Sequence, residues 1–384
     1  MVRRLASPLR FTSFFLFGAR ATGKTTFLRS FFEQDRVHWI DLLDPELEAR
    51  YLSQPRLFYD EVLSKCADVD WFVLDEIQKC PQLLNYVHKL IEERHLKFAL
   101  TGSSARKLRH GAANLLAGRA LLNEMFPLTA SELAERFNLS EVLNWGSLPA
   151  VFSLQSDEER MAYLNAYAHA YLKEEVFAEQ LVRKMQPFRR FLEVSAQCHA
   201  TQLSFRKLGR ELNIDGKTVQ SYFQILEDTL VGFLLYPHHS SLRKSLVQIP
   251  KFYYSDLGVQ RALSRVLHGR VVEGTSAFGE AFESFVVLEI QRHNSYSRAG
   301  FTLEYFSDGR HEIGLVLSRG PRERIAIEIK SSRQIFDAEV EKFSALADSI
   351  PAEKKLLVSR DEVDRTSHGV RCCHWMTALT ALFE

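Results

Sequence analysis

The stretch that decides the fold is FFLFGARATGKTT, residues 14–26 of a chain of 384 residues. Its first four residues form an apolar run of β-forming side chains, and the helical pattern FLRSFF follows at Phe27. Between them, Gly18–Thr25 has the pattern GxxxxGKT, and a strand, this loop and a helix in that order are typical of a phosphate-binding loop. Gly18 and Gly23 allow a tight turn that directs successive backbone N–H groups at phosphate oxygens. The sequence therefore predicts a nucleotide site after the first strand.

Two side chains of this loop have an expected role in binding a nucleoside triphosphate. Lys24 can reach the β- and γ-phosphates, and the hydroxyl of Thr25 can ligate Mg²⁺. The predicted cofactors are therefore ATP and Mg²⁺. The predicted loop residues are Gly18, Ala19, Arg20, Ala21, Thr22, Gly23, Lys24, Thr25 and Thr26.

Two further apolar runs end in polar residues of the kind that such a site needs. Trp71–Leu74 leads to Asp75 and Glu76. An acid at the end of a strand beside the phosphate loop can hold Mg²⁺ through water, and a second acid can polarise the attacking water. Lys97–Thr101 leads through a glycine to Ser103, whose hydroxyl is placed where a strand tip could sense the γ-phosphate.

Composition limits the classes of protein that fit. Hydrophobic residues make up 46% and charged residues 25% of the chain, as in a soluble globular protein, and the length indicates two or three domains. A formal net charge of +1 neither requires nor excludes a nucleic-acid partner. The five cysteines are odd in number and lack metal-ligand spacing, which favours a reducing compartment. No apolar run approaches the roughly 18 residues of a membrane span, so we expect a cytoplasmic protein without a membrane segment.

The middle of the chain has a helical pattern followed by a helix-turn-helix pattern. A short helix near Arg206 leads to a turn at 213–216, and a second helix begins near Lys217. That helix has an apolar stripe, and it leaves Lys217 and Gln220 on its outer face. Two β-rich segments follow, as in a winged helix. Major-groove and phosphate contacts are expected from Lys217, Gln220, Arg243 and Lys244, whereas a winged helix used only for packing or protein docking needs no such contacts.

The whole chain resembles the AAA-type (AAA+) ATPases of bacteria and archaea that carry a C-terminal nuclease-like domain. The resemblance includes the phosphate loop, WIDLLDPE, WFVLDEIQK, FALTGSS, LLAGRALLNEMFPLTASEL, GSLPAVF, PKFYYSDLG and the final IEIKSS. It implies Lys24 and Thr25 as Walker A residues, Asp75 and Glu76 as Walker B residues, and Ser103 as the sensor. It also implies a homo-oligomer, for instance a hexamer, in which Arg119 is a candidate arginine finger toward a neighbouring subunit; the alternative is a surface or salt-bridge role.

The implied fold is α/β with three domains. An AAA+ domain with a parallel sheet is expected over residues 1–135, a helical and winged-helix region over 136–255, and an α/β nuclease-like domain over 256–384. The last domain has the order helix, strands, helix, strand, which is the core order of the PD-(D/E)xK nucleases. The resemblance implies Glu283 as the helix acid, Glu328 as the strand acid and Lys330 as the lysine that orients water. Glu328 and Lys330 are two apart on a strand and point to one face.

One acid of the nuclease pattern is missing, because Gly314 stands where the first strand is expected to carry an aspartate. Glu312 lies on the same face but one pleat away, roughly 6–7 Å along the strand. A site without this acid lacks an oxygen ligand that Mg²⁺ would use. We therefore expect a nuclease-like fold without cleavage activity, unless Glu312 takes over the role.

Three functions are consistent with these patterns. The first is an oligomeric ATP-driven motor that binds and remodels DNA, such as branched or broken duplex. The second is a nucleotide-dependent switch or scaffold whose appended domains bind protein partners. The third is an ATP-gated nuclease. All three share the ATP site, so that site cannot separate them.

Overall fold

The structure is a computed structural model that describes residues 2–103, 116, 118–168, 185–238, 249–320 and 322–384. The chain forms two compact units. The first unit comprises Met1–Leu128 with the short segments Leu148–Ala150 and Leu226–Val231, and the second comprises Thr129–Ser147, Val151–Ile225 and Gly232–Glu384. The predicted fold class is confirmed, because an α/β unit with a parallel sheet is followed by helical and further α/β regions. The predicted domain boundaries at residues 135 and 255 stay a prediction.

The first unit is built, in its described part, on a five-stranded sheet in the order β2-β3-β4-β1-β5. Every neighbouring pair in it is parallel. Because β4 lies between β1 and β3, the residues at the ends of all three strands meet at one edge of the sheet. The strands are β1 (Ser13–Phe17), β2 (Val37–Asp41), β3 (Trp71–Asp75), β4 (Phe98–Gly102) and β5 (Ala120–Glu124).

The three central strands are buried along their whole length, which is why they appear in the sequence as continuous apolar runs. Side chains such as Phe15, Phe72 and Phe98 join residues of the surrounding helices in one hydrophobic cluster. This core fixes the strand ends on which the polar residues sit. The helices of this unit are α1 (Lys24–Phe31), α2 (Pro45–Ser53), α3 (Arg56–Lys65) and α4 (Leu83–Arg94), with a short 3-10 helix at Ile77–Lys79.

Helices predominate among the described residues of 125–263. Several begin with a side-chain cap, for example Thr129, whose hydroxyl accepts from the backbone N–H of Glu132 at 3.1 Å while the Glu132 carboxylate accepts from the N–H of Thr129. The helices are α5 (Ala130–Leu133), α6 (Leu139–Trp145), α7 (Asp157–Ala166), α8 (Met185–Gln197), α9 (Phe205–Leu212), α10 (Gly216–Asp228) and α11 (Leu257–Leu263), with short 3-10 helices at Ala134–Arg136 and Pro149–Ser153.

The second unit has, among its described residues, an eight-stranded mixed sheet in the order β12-β13-β11-β10-β9-β8-β6-β7. Strands β6 and β7 form an antiparallel pair, and β6 joins β8 through the pairs Tyr236–Glu304 and Pro237–Tyr305. The middle of the chain therefore contributes one edge of the C-terminal sheet. The strands are β6 (Gly232–Pro237), β7 (Lys251–Tyr254), β8 (Thr302–Ser307), β9 (Glu312–Arg319), β10 (Glu323–Ile329), β11 (Lys354–Ser359), β12 (Arg365–Ser367) and β13 (Val370–His374).

Three helices accompany this sheet: α12 (Ser276–Ser297), α13 (Asp337–Ala347) and α14 (Trp375–Phe383). Helix α13 connects the parallel strands β10 and β11, and its Val340 and Phe343 pack with Ile313 and Ala326 of the sheet. Among the helices that the structure describes, not one has the length and apolar character that crossing a bilayer would require.

Candidate active site

The phosphate loop connects β1 to α1 at the edge where the parallel strands end. Gly23 precedes the helix with a φ of 90°, a backbone conformation that glycine adopts without strain. Gly18 allows a close approach, because a Cβ atom at this position would lie 2.4 Å from the carbonyl oxygen of Met125. Helix α1 lacks a side-chain cap at its start, so its first backbone N–H groups remain available to an anion.

The ammonium group of Lys24 is held inside the phosphate loop by backbone carbonyl groups. The Nζ of the buried Lys24 donates to the carbonyl oxygens of Gly18 at 2.8 Å and Ala19 at 3.3 Å. The loop is also braced from outside by Arg4, whose guanidinium donates to the carbonyl oxygens of Thr22 at 2.7 Å and Phe126 at 2.6 Å. Sequence reasoning missed Arg4, since an arginine eighteen residues before its partner carries no local signal.

Thr25 and Asp75, the two predicted Mg²⁺ ligands, lie in contact with each other. The Thr25 hydroxyl donates to the Asp75 carboxylate at 2.6 Å, and Thr101, at the end of the intervening strand β4, donates to the other oxygen of the same carboxylate. A hydroxyl and a carboxylate are the hard oxygen donors that Mg²⁺ prefers, so these residues fit a magnesium ion. Among the described residues, no group of three or more His, Cys, Asp or Glu side chains could hold a metal ion.

Glu76 and Ser103 are linked by a residue that the sequence did not single out. The side-chain amide of Gln78 donates both to the Glu76 carboxylate and to the Ser103 hydroxyl, the latter at 2.9 Å. Ser103 in turn donates to the same Glu76 oxygen at 3.4 Å. Gly102 leaves room for the amide, because a Cβ there would lie 2.9 Å from the Gln78 Oε1 atom. The predicted base and the predicted sensor thus form one buried hydrogen-bonded group with Gln78.

Glu76 also has an unusual backbone conformation. Its φ is 59° and its ψ is 50°, the left-handed region that non-glycine residues seldom adopt. Its backbone N–H donates to the Thr101 hydroxyl at 2.9 Å, which fixes this conformation from the neighbouring strand. Residues held in such conformations often belong to functional sites, where the surrounding structure determines them.

Arg119 is not brought to this group. It precedes β5, whose register with β1 pairs Ala120 with Ser13 and Glu124 with Phe17. Arg119 therefore lies at the opposite edge of the sheet from the phosphate loop, roughly 16 Å along the strands at about 3.3 Å per residue. Its guanidinium pairs with Glu92 of α4, and this pairing lowers the pKa of the Glu92 carboxyl. Arg119 therefore lies too far from this phosphate loop to contact a nucleotide bound there.

The predicted DNA-binding residues lie partly outside the described residues, since Arg243 and Lys244 belong to the segment 239–248. Helix α9, a tight turn and helix α10 follow one another as expected. Asn213 in the turn has a φ of 56°, and a Cβ at Gly209 would lie 2.7 Å from the carbonyl oxygen of Ile214. Lys217 and Gln220 are both exposed on α10.

The C-terminal residues predicted for a nuclease-like site do come together. Glu283 on α12 reaches Gly314 on β9, where a Cβ would lie 2.8 Å from the Glu283 Oε1 atom. Lys330 pairs with Glu328 at 2.6 Å, and although burial acts against it, this carboxylate raises the pKa of Lys330. Glu312 is paired elsewhere, with Lys251 of β7.

Comparison with known proteins supports the N-terminal assignment. Residues 10–134 match a family model described as an AAA domain. The N-terminal part of the chain is thus similar to AAA domains. Two further models, for domains of unknown function (DUF8612 and DUF4143), match residues 122–268 and 278–377.

Two curated relatives are uncharacterized proteins from Mycobacterium tuberculosis and Mycobacterium bovis, each 27% identical over 281 residues. The match covers 72% of this chain and 61% of each relative, so the chain spans about three fifths of their length. Similar solved structures include the Aeropyrum pernix Orc1 protein in complex with DNA, with a TM-score of 0.30, 12% identity and coverage of 66% of this chain and 86% of that one. Another is the S. cerevisiae Hsp104–ADP complex, with a TM-score of 0.28, 9% identity and coverage of 74% and 40%.

Proposed function

We propose that this chain is an Mg²⁺-dependent ATPase that works as a homo-oligomer and uses ATP hydrolysis to bind and remodel DNA. The observation that carries the ATPase part is the convergence of Lys24, Thr25, Asp75 and Glu76 at one edge of the parallel sheet. Few other functions need a cation, a hydroxyl and two acids beside a glycine-rich loop.

Each of these residues has a part in the proposed reaction. The loop N–H groups and Lys24 bind the phosphates, and Thr25 with Asp75 would hold Mg²⁺, which supplies positive charge to the phosphate oxygens when bound. Glu76 accepts a hydrogen bond from the attacking water and orients it. Ser103 is the proposed sensor of the terminal phosphate, and its hydrogen bond from the Gln78 amide, which also donates to Glu76, supports this role.

The ATPase proposal is tested with Lys24→Ala and Glu76→Gln. Lys24→Ala should lose binding of a fluorescent ATP analogue, because Lys24 is the only cation among the four residues named above and its charge attracts the phosphates. Glu76→Gln should keep binding and hydrolyse about 100-fold more slowly or worse, since a preorganised electrostatic contribution of this kind is typically that large. Glu48→Gln, which changes an acid paired with Lys79 in the same unit, is the matched control. Unchanged turnover in both active-site variants would remove the assignment.

The DNA part rests on the outer faces of α9 and α10. Arg206, Lys207 and Arg210 are exposed on the first helix and Lys217 on the second, so four cations line the helix-turn-helix. Such a stripe is the electrostatic footprint of phosphate contact even on a chain whose net charge is near zero.

Fluorescence anisotropy with duplex, single-stranded and four-way DNA across salt concentrations tests this part. Binding should weaken steeply with salt, and Lys217→Ala should lower both the affinity and the salt slope, since one phosphate contact is lost. The control is Lys65→Ala, which removes a lysine from the end of α3 in the other unit. Binding that is absent, or indifferent to Lys217, would favour the nucleotide-dependent switch or scaffold for protein partners.

The oligomeric part rests on the position of Arg119 at the edge of the sheet away from its own loop. A finger in that position has to serve a second copy of the chain, which is how arginine fingers supplied in trans stabilise the transition state.

A further inference from the structure

Three acids of the second unit, two on the sheet and one on α12, lie near two lysines. Glu312 on β9 forms an ion pair with Lys251 and accepts a hydrogen bond from the Gln202 side-chain amide at 3.1 Å. Glu328 forms an ion pair with Lys330. We refer to Glu283, Glu312, Glu328, Lys251 and Lys330 as the acid–lysine cluster.

Lys251 was not among the residues that the sequence indicated, and its environment is unusual. It is only 4% exposed, although a lysine seldom lies buried unless it is paired. From the first residue of β7 its side chain passes the ring of Tyr305, whose centroid lies 5.1 Å from the Nζ atom, and ends at Glu312. The Lys251 side chain therefore reaches from β7, at the edge of the sheet, to Glu312 on β9.

Glu283 faces the same ammonium. Burial raises the pKa of Glu283, the charge of Lys251 opposes this rise, and the carboxylates of Glu328 and Glu312 add to it. Burial raises the pKa of Tyr253, two residues after Lys251, and the charges of Glu283 and Glu312 raise it further. Three carboxylates and two ammonium groups thus share one region.

A divalent cation does not fit this cluster. The Glu283 carboxylate occupies the space that a side chain at Gly314 would need, because a Cβ atom at Gly314 would lie 2.8 Å from the Oε1 atom of Glu283. Glu312 and Glu328 are each engaged by a lysine. Among the described residues these acids do not form a group that could hold a metal ion. An Mg²⁺ ion needs near-octahedral oxygen ligands, and two ammonium groups would repel it.

We propose that Lys251 is the built-in cation of the acid–lysine cluster, standing where a nuclease-like sheet would need a divalent metal. The cluster is a metal-independent clasp that fastens β7 and the Gln202 segment to β9. The C-terminal sheet therefore binds neither Mg²⁺ nor Mn²⁺ and carries out no metal-dependent cleavage. This proposal is independent of the ATPase proposal, because none of its residues belongs to the first unit.

The test compares thermal unfolding of nucleotide-free protein in EDTA and in millimolar Mn²⁺. All proteins carry Asp75→Asn, so that a metal response cannot come from the ATP site. The parent protein should have the same Tm under both conditions. Lys251→Met should lower the Tm in EDTA, because Glu312 loses its partner, and Mn²⁺ should recover part of the loss by taking the place of the ammonium. Adding Glu312→Gln to Lys251→Met should abolish this recovery.

Two further variants separate the clasp from a general effect of removing a buried lysine. Lys355→Met deletes another lysine of the same sheet, paired with Asp348 at 2.6 Å, and should lower the Tm without any response to Mn²⁺. Lys251→Arg keeps the positive charge and should leave the protein folded and unresponsive to the metal.

Isothermal titration of Mn²⁺ into the parent protein decides the matter even if Lys251→Met does not fold. No binding is expected. Stoichiometric Mn²⁺ binding that disappears with Glu283→Gln or Glu312→Gln would overturn the proposal, and so would a Lys251→Met protein that folds but gains nothing from the metal.

Discussion

Gln78 offers the sharpest test of how the ATP site is organised, because its amide joins the proposed base to the proposed sensor. The change is Gln78→Met, which keeps the length of the side chain and removes both donated hydrogen bonds. Gln78 does not contact the phosphate loop through these bonds. We therefore expect the variant to bind ATP normally and to turn it over more slowly.

The size of the effect follows from the contacts. A hydrogen bond to a charged group contributes about 1.5–3 kcal/mol net. The Ser103 hydroxyl already donates to the Glu76 carboxylate at 3.4 Å, and shortening this hydrogen bond replaces part of what is lost. The lower end, about 1.5 kcal/mol, is therefore the better figure, and since about 1.4 kcal/mol is a factor of ten, kcat should fall roughly tenfold.

Steady-state hydrolysis of Mg·ATP measures kcat, and binding of a fluorescent nucleotide measures the affinity separately. Gln78→Glu is the informative second variant, because it keeps the shape but places a like charge beside Glu76, so its kcat should fall further than that of Gln78→Met. A role in packing alone would make these two variants equal. Gln82→Met, four residues later, is the matched control. A kcat for Gln78→Met within about twofold of the parent, or a change confined to KM, would refute the positioning role.

Two other predictions address assembly and pH. Arg119→Ala and Glu76→Gln proteins should each be nearly inactive alone, and mixing them should restore part of the turnover, because an intact Arg119 then meets an intact Glu76 at one interface; a monomer with full activity would contradict this. Burial raises the pKa of Glu289 from 4.5 to about 7, so the folded protein holds this proton more tightly than the unfolded chain and stability should fall as the pH rises between these values. Glu289→Gln should make stability less dependent on pH in this range, as measured by urea-unfolding midpoints. An unchanged pH dependence would show that Glu289 is not the group responsible.

The sequence determined the elements whose pattern is local. The phosphate loop, the two acids at the end of β3 and the serine after β4 follow short apolar runs that are typical of buried parallel strands, and the structure has strands there. The helix-turn-helix was predicted in the same way, from a 3.6-residue stripe that the structure buries at Val219 and Phe223.

Only the tertiary structure shows which side chains make contact although they are far apart in the sequence. Arg4 braces Phe126 over 122 residues, Gln78 reaches Ser103 across 25, and Lys251 reaches Glu312 across 61. Neither periodicity nor a motif marks such residues, because a side chain that donates to a distant strand follows no local spacing. The sequence also gave no reason to place the Glu283 carboxylate in the space that Gly314 leaves open, since that contact depends on how α12 packs on β9. Local patterns in the sequence determine which residues lie at the end of a strand. The packing of helices and strands against one another determines which charged side chains come into contact there.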